Sequence, residues 1–256
     1  MKNIAVITGA SSGIGREFAK QIARKYSKMD ELWIIARREE RLQELQTELS
    51  VKFRMASRIL VLDLSNPEDI KQLTAQLHKE KPHVRMLVNA AGYGRVGRFE
   101  MGSRQDQLGM IRLNCEALTS ITYSVLPYMN DRCRIINMAS VAAFLPQPEL
   151  NVYAATKSFV LSFSRALAYE IRGRHISVTA VCPGPVATEF FSLADPKEQG
   201  GFYKKLFMAD PVLVVRKALL DASKGRQMSV YSLSMNLILA ASKTIPHRLI
   251  LDLLYR

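Results

Sequence analysis

The sequence predicts a doubly wound α/β domain, a parallel sheet of about seven strands with helices on both faces. Three observations carry this reading. Short runs rich in Val, Ile and Leu recur along the chain, longer amphipathic stretches separate them, and the first run ends directly in a glycine-rich turn. Continuously apolar strands are buried on both faces, and strands joined through helices pair in parallel with right-handed crossovers.

In chain order the strands are IAVIT, LWIIA, RILVL, RMLVN, RIINM and ISVTAV, with RQMSV as a short seventh. The stretches REFAKQIARKY and EERLQELQTEL and the segment Pro211 to Ser223 read as helices. No repeat, low-complexity tract or Pro/Gly/Ser-rich linker divides the chain, so residues 1–256 read as one domain. Residues 189–210 break the rhythm after a Pro/Gly turn and read as a substrate loop. Residues 232–256 read as an apolar helical tail in two pieces, SMNLILAASK and PHRLILDLLYR. Lys243 and Pro246 interrupt this tail before it reaches the roughly 18 to 20 continuous apolar residues of a membrane span.

A hydrophobic content of 48% in 256 residues is ample for a buried core. The net charge of +13 is spread without a long basic run or interleaved aromatic residues, which argues against nucleic acid as a partner. Cys115, Cys133 and Cys182 are odd in number and widely spaced, as expected of buried, reduced thiols in the cytoplasm. The chain reaches glycines too soon for a signal peptide. His78, His83, His175 and His247 show no ligand spacing, so no metal is expected.

The turn after the first strand, TGASSGIG, opens a helix, which is the setting of a phosphate-binding site. Gly9 permits the tight turn, Gly13 lets backbone N–H groups approach a pyrophosphate, and Gly15 lets helix pack on strand. Ser11, Ser12 and Ile14 complete the expected cofactor turn. The second strand ends in Ala36 followed by Arg37 and Arg38, where an acidic residue would bind a ribose 2′-hydroxyl. Two guanidinium groups suit a 2′-phosphate and so NADP(H) over NAD. The other reading of the pair is a solvated first helical turn, and Arg37 is the firmer of the two as a phosphate ligand.

Together these residues resemble the short-chain dehydrogenase/reductase family. Gly9, Gly13 and Gly15 match its cofactor turn, and Asp63 in VLDLS, with Leu64, its adenine side. NAAG, with Asn89, Ala90 and Gly92, matches its fourth-strand motif, and PGPVAT, with Pro183, Gly184, Val186 and Thr188, the turn that contacts nicotinamide. Asn114, Ser140, Tyr153 and Lys157 match its catalytic tetrad in order and approximate spacing. The resemblance covers roughly residues 3 to 190 and implies a single-domain Rossmann fold, reversible reduction of a ketone with NADP(H), and a homodimer or homotetramer. It also implies that Lys157 and Tyr153 contact the cofactor, that Ser140 donates to the substrate oxygen, and that Asn114 anchors a water that resupplies protons.

Tyr153 and Lys157 lie four residues apart, on one face of a helix. Reduction of a carbonyl needs a positioned acid, and Tyr153 is the candidate. Bringing a phenol from pKa near 10 to about 7 takes about 4 kcal/mol, and a Lys157 cation at about 4 Å supplies that order of energy. The small residues Ala154, Ala155 and Thr156 are expected to leave a slim face for cofactor and substrate. Phe190, Phe191, Leu193, Phe202, Tyr203, Leu206, Phe207 and Met208 suit a bulky apolar carbonyl such as a 3-oxoacyl chain or a steroid, or else pack as ordinary helix faces. The basic, apolar tail is read as closing the substrate pocket or a subunit interface in preference to lying on an anionic membrane. A non-catalytic NADPH-binding regulator and a sugar-nucleotide epimerase are the alternatives, disfavoured by the complete tetrad and by chain length with glycine spacing.

Overall fold

The computed structural model describes residues 1–194 and 208–254. Seven strands form one sheet: β1 (Asn3–Thr8), β2 (Glu31–Ala36), β3 (Ser57–Val61), β4 (His83–Asn89), β5 (Arg134–Met138), β6 (Ser177–Val181) and β7 (Met228–Ser229). Their order is β3-β2-β1-β4-β5-β6-β7, and every pairing is parallel. The helices are α1 (Gly13–Lys25), α2 (Glu39–Phe53), α3 (Pro67–Glu80), α4 (Arg104–Ile111), α5 (Leu118–Val125), α6 (Asn151–Glu170), α7 (Glu189–Ala194), α8 (Pro211–Ser223), α9 (Leu233–Thr244) and α10 (His247–Leu254).

Period-two alternation sends each strand's side chains to two separate cores. From β1 and β2, Ala5, Ile7, Leu32 and Ile34 join Phe18, Ile22, Leu45 and Leu49 of α1 and α2 and Val215 of α8. Ile4, Val6, Trp33 and Ile35 face the other way, onto Leu73 and Leu77 of α3, Ile121 of α5 and Leu167 of α6. Both faces are thereby covered, which is why the strands read as unbroken apolar runs. β3 is the exception: as the sheet's edge it has no fully buried residue. The seventh strand is shorter than RQMSV suggested, only two residues long.

The sheet reverses direction of winding between β1 and β4, and the crevice outside the carboxyl ends of the strands at such a switch point is where sheets of this kind bind ligands. Every predicted motif falls on that edge: the glycine turn follows β1, Arg37 follows β2, Asp63 lies beyond β3, Ala90 follows β4, Ser140 lies beyond β5 and Pro183 lies beyond β6.

Candidate active site

The glycine turn has the backbone that the sequence calls for. Gly9 has φ +68°, and a Cβ there would stand 2.8 Å from the carbonyl of Ala90, so the residue is required both by conformation and by the close approach of the NAAG loop. Gly15 abuts the carbonyl of Gly9, letting α1 start directly on the turn with its N–H groups facing the crevice. The loop opposite is held by a residue that the motifs did not flag. The Oγ1 of Thr8 accepts from the N–H groups of Ala90 and Ala91 at 3.0 and 3.1 Å.

The two arginines have different surroundings. Arg38 donates through Nε and Nη2 to Ser11 Oγ at 3.3 and 3.1 Å, and through Nη2 to Ser12 Oγ at 2.7 Å. Arg37 points outward, 71% exposed, with Nη1 3.8 Å from Asp63 Oδ2. Arg38 is thus the guanidinium joined to the glycine turn, and Arg37 the more exposed of the two. Asp63 accepts from the N–H and hydroxyl of Ser65 at 3.0 and 2.6 Å, and these bonds with the Arg37 charge outweigh burial and hold its carboxyl below the usual range.

The predicted tetrad is brought together beyond β4 and β5. Asn114 sits in a π-helical turn, Arg112–Ala117, between α4 and α5, a distortion common at functional sites. Its Oδ1 accepts from Tyr93 N at 3.1 Å, and its Nδ2 donates to Tyr93 O at 2.9 Å and to Thr156 Oγ1 at 3.0 Å. That pairing fixes the backbone just after Gly92, whose missing side chain leaves room for Asn114 Oδ1 and Lys157 Nζ. Ser140 caps a short 3₁₀ turn, its Oγ accepting from Ala142 N at 3.1 Å.

Lys157 is buried and donates through Nζ to Met138 O at 2.8 Å, with Nζ 5.6 Å from the centroid of the Tyr153 ring. Burial draws its pKa down to about 8. The same burial pushes the Tyr153 phenol up to about 12, against a hydrogen bond with Ser140 that pulls it down. Burial thus moves this phenol away from neutrality, opposite to the expected descent. Desolvation of the phenolate outweighs the bond with Ser140, while Lys157 Nζ is held on Met138 O.

Two further sets of predicted residues have buried partners. Asn89 turns inward: its Nδ2 donates to Thr122 Oγ1 at 3.0 Å and Asn137 Oδ1 at 2.9 Å, and Asn137 Nδ2 donates to Ser164 Oγ at 2.9 Å. This amide chain is buried and holds the Asn89 side chain through its Nδ2. Ala154 and Thr156 likewise are buried, and Thr156 bonds Asn114; of the three small residues only Ala155 is exposed. Small size there serves helix packing.

On the substrate side, Phe190 at the start of α7 packs on Tyr153, ring centroids 5.5 Å apart. Gly94 lies against both rings. Phe202, Tyr203, Leu206 and Phe207 lie outside the described residues, as do the side chains of Phe191 and Leu193. After the loop, Ala209 bridges back to Val186. In the tail, Met235 of α9 packs on Gly184 and joins a third apolar cluster with Cys182 and Phe144. Leu237, Leu249 and Leu253 remain exposed, and no described helix is long and apolar enough to cross a membrane. Cys133 and Cys182 are buried and Cys115 half-buried, all as free thiols.

A doubly wound sheet with a glycine turn at its switch point and a Ser, Tyr and Lys beside it defines an oxidoreductase of the dinucleotide-binding α/β class. The family model for short chain dehydrogenases matches residues 3–199, and the chain belongs to that family. It is 35% identical over 197 residues to sulfoacetaldehyde reductase 2 of Chromohalobacter salexigens, covering 74% of this chain and 75% of that protein. It is 33% identical over 201 residues to very-long-chain 3-oxoacyl-CoA reductase of Anas platyrhynchos, covering 75% of this chain and 62% of that protein. The structure of a short-chain dehydrogenase from Sphingobium yanoikuyae in complex with NADPH matches with a TM-score of 0.80 and 28% identity, over 100% of this chain and 97% of that one. The protein is thus an oxidoreductase of the short-chain dehydrogenase family.

Proposed function

We propose that the chain is an NADP(H)-dependent reductase of a bulky apolar ketone, with Tyr153 as the proton donor. The observation that carries this reading is the convergence of Ser140, Tyr153 and Lys157 beside the glycine turn, with Phe190 lying on the phenol.

The residues present fit the cofactor. Gly9 and Gly13 adopt positive φ, the N-terminus of α1 faces the crevice, and Arg38 with Ser11 and Ser12 forms a cluster of donors for a 2′-phosphate. The nicotinamide, when bound, supplies the hydride. Tyr153 gives its proton to the substrate oxygen as charge develops there, and the Ser140 hydroxyl provides a second donor to the same atom. A phenol at about 12 is fully protonated at neutral pH, the form that reduction requires. The Lys157 cation, one helical turn away, then stabilises the phenolate left behind. Asn114 positions the Tyr93 backbone, and with it one wall of the site.

Preference for NADP(H) is supported by Arg38 and by the NADPH complex of the Sphingobium protein. Substrate breadth is framed by the relatives, whose names denote a small sulfonated aldehyde and a long-chain 3-oxoacyl thioester. The decisive test is NADPH oxidation against 3-oxoacyl thioesters, steroids, diketones, sugars and sulfoacetaldehyde. Turnover of the first two classes is expected. Exclusive use of the sulfonate would overturn the apolar assignment, and a dead panel with tight NADPH binding would overturn catalysis.

A further inference from the structure

The cluster of donors at the glycine turn is shared with a carboxylate from the other side of the crevice. Glu189, the first residue of α7, accepts through Oε2 from Arg38 Nη1 at 2.9 Å, and its Oε1 accepts from Arg41 Nη1. Arg38 is at the same time bonded to Ser11 and Ser12. One residue earlier, Thr188 lies against the same turn: a Cβ on Gly13 would stand 3.2 Å from Thr188 Cβ. The segment 186–190 is therefore drawn across the glycine turn, its carboxylate on the guanidinium that faces the proposed phosphate position. Both arginines lower the Glu189 pKa, so the carboxylate is ionised throughout the neutral range.

Resting on the assignment of Arg38 to the 2′-phosphate, we infer that Glu189 is a specificity-determining residue that competes with that phosphate for Arg38 and Arg41. A phosphate and a carboxylate offer these guanidinium groups the same chemistry, and the phosphate carries more charge and one more acceptor oxygen. Binding of the phosphorylated cofactor releases Glu189, and with it the start of α7, where Phe190 covers Tyr153. A cofactor without the phosphate leaves the bridge closed and Phe190 in place. The choice between NADPH and NADH is in this way communicated to the substrate side by a single ion-pair exchange.

The test compares wild type, Glu189→Gln and Arg38→Ala in equilibrium binding of NADPH and NADH at low salt, together with hydrogen exchange of residues 186–194. Glu189 is half-exposed, so the glutamine variant is expected to fold. Glu189→Gln should tighten NADPH by about fivefold, the size of two partly exposed ion pairs, and leave NADH within about twofold. In the wild type NADPH, and not NADH, should raise exchange in 186–194. If Arg38→Ala weakens NADPH selectively while Glu189→Gln leaves NADPH unchanged or weaker, the competition is overturned and the phosphate assignment stands. If Arg38→Ala weakens both cofactors equally, the phosphate assignment fails and the competition with it.

Discussion

The Nζ of Lys157 stands 5.6 Å from the centroid of the Tyr153 ring, one helical turn away, and is anchored to the carbonyl of Met138 rather than to the phenol. A cation so buried destabilises the ligand-free fold. Its folded pKa of about 8 lies below the ordinary value of 10.5, so between these limits the unfolded chain binds more protons and stability rises with pH. The gain is about 3 kcal/mol at most, and Lys157→Met should abolish it. Urea unfolding of both proteins at pH 7.5 and about pH 10 measures this: the difference in stability between variant and wild type should shrink as pH rises, while turnover is lost in the variant throughout.

Tyr153→Phe removes only the hydroxyl and should reduce turnover by at least about 10³-fold with NADPH binding nearly intact. Ser140→Ala should lower kcat by about 10²-fold by removing one donor to the developing oxyanion. Steady-state rates with fluorescence titration of NADPH read both effects. Full activity of the phenylalanine variant would remove Tyr153 from the reaction.

In the ligand-free protein, alkaline difference absorbance should show the phenol of Tyr153 titrating well above its ordinary pKa, towards about 12, because burial opposes its ionisation. Subtracting the Tyr153→Phe titration isolates the transition. Ser140→Ala should move it higher still, since the bond with Ser140 favours the phenolate.

Arg38→Ala should weaken NADPH by tenfold or more relative to NADH, the loss of charge-assisted bonds to a phosphate at about 1.5 to 3 kcal/mol each. Arg37→Ala should have a smaller effect, because Arg37 is exposed and lies near Asp63. Competition titrations with both cofactors rank the two side chains.

Thr156→Val should leave one Asn114 Nδ2 hydrogen unpaired beside the π turn and destabilise the fold by about 1 to 3 kcal/mol. Because Asn114 fixes the Tyr93 backbone, KM should rise more than kcat falls. Urea midpoints and steady-state kinetics separate the two effects.

Strands and the glycine turn were legible because each announces itself within a few residues: β1 as an unbroken apolar run, Gly9 as a small residue where a chain must reverse. Asn114, Ser140, Tyr153 and Lys157 could be picked out as an ordered set of motifs through the family resemblance. Thr8, Asn137, Thr156 and Ser164 were not legible, since their value lies in partners brought from other elements, as Asn137 is to Asn89 across two strands. The π turn at Arg112–Ala117 had no signal in the sequence reading, and its Asn114 finds Thr156 only through the fold. The bridge from Glu189 to Arg38 spans 151 residues of sequence, beyond any local pattern. The bonds of Arg38 to Ser11 and Ser12 were not legible either, because the direction of a side chain beyond a strand end is not visible in sequence.

The amide chain from Asn89 through Asn137 to Ser164 acts as a keyway for assembly. A slip of one residue between β4 and β5 would turn an amide from a partnered position into an apolar core, stranding its hydrogen-bonding groups. Leu or Val at those positions would pair equally well in several alignments. The polar links make one alignment far more favourable than its neighbours, so the strand ends that carry Ala90 and Ser140 arrive level with each other before any ligand enters.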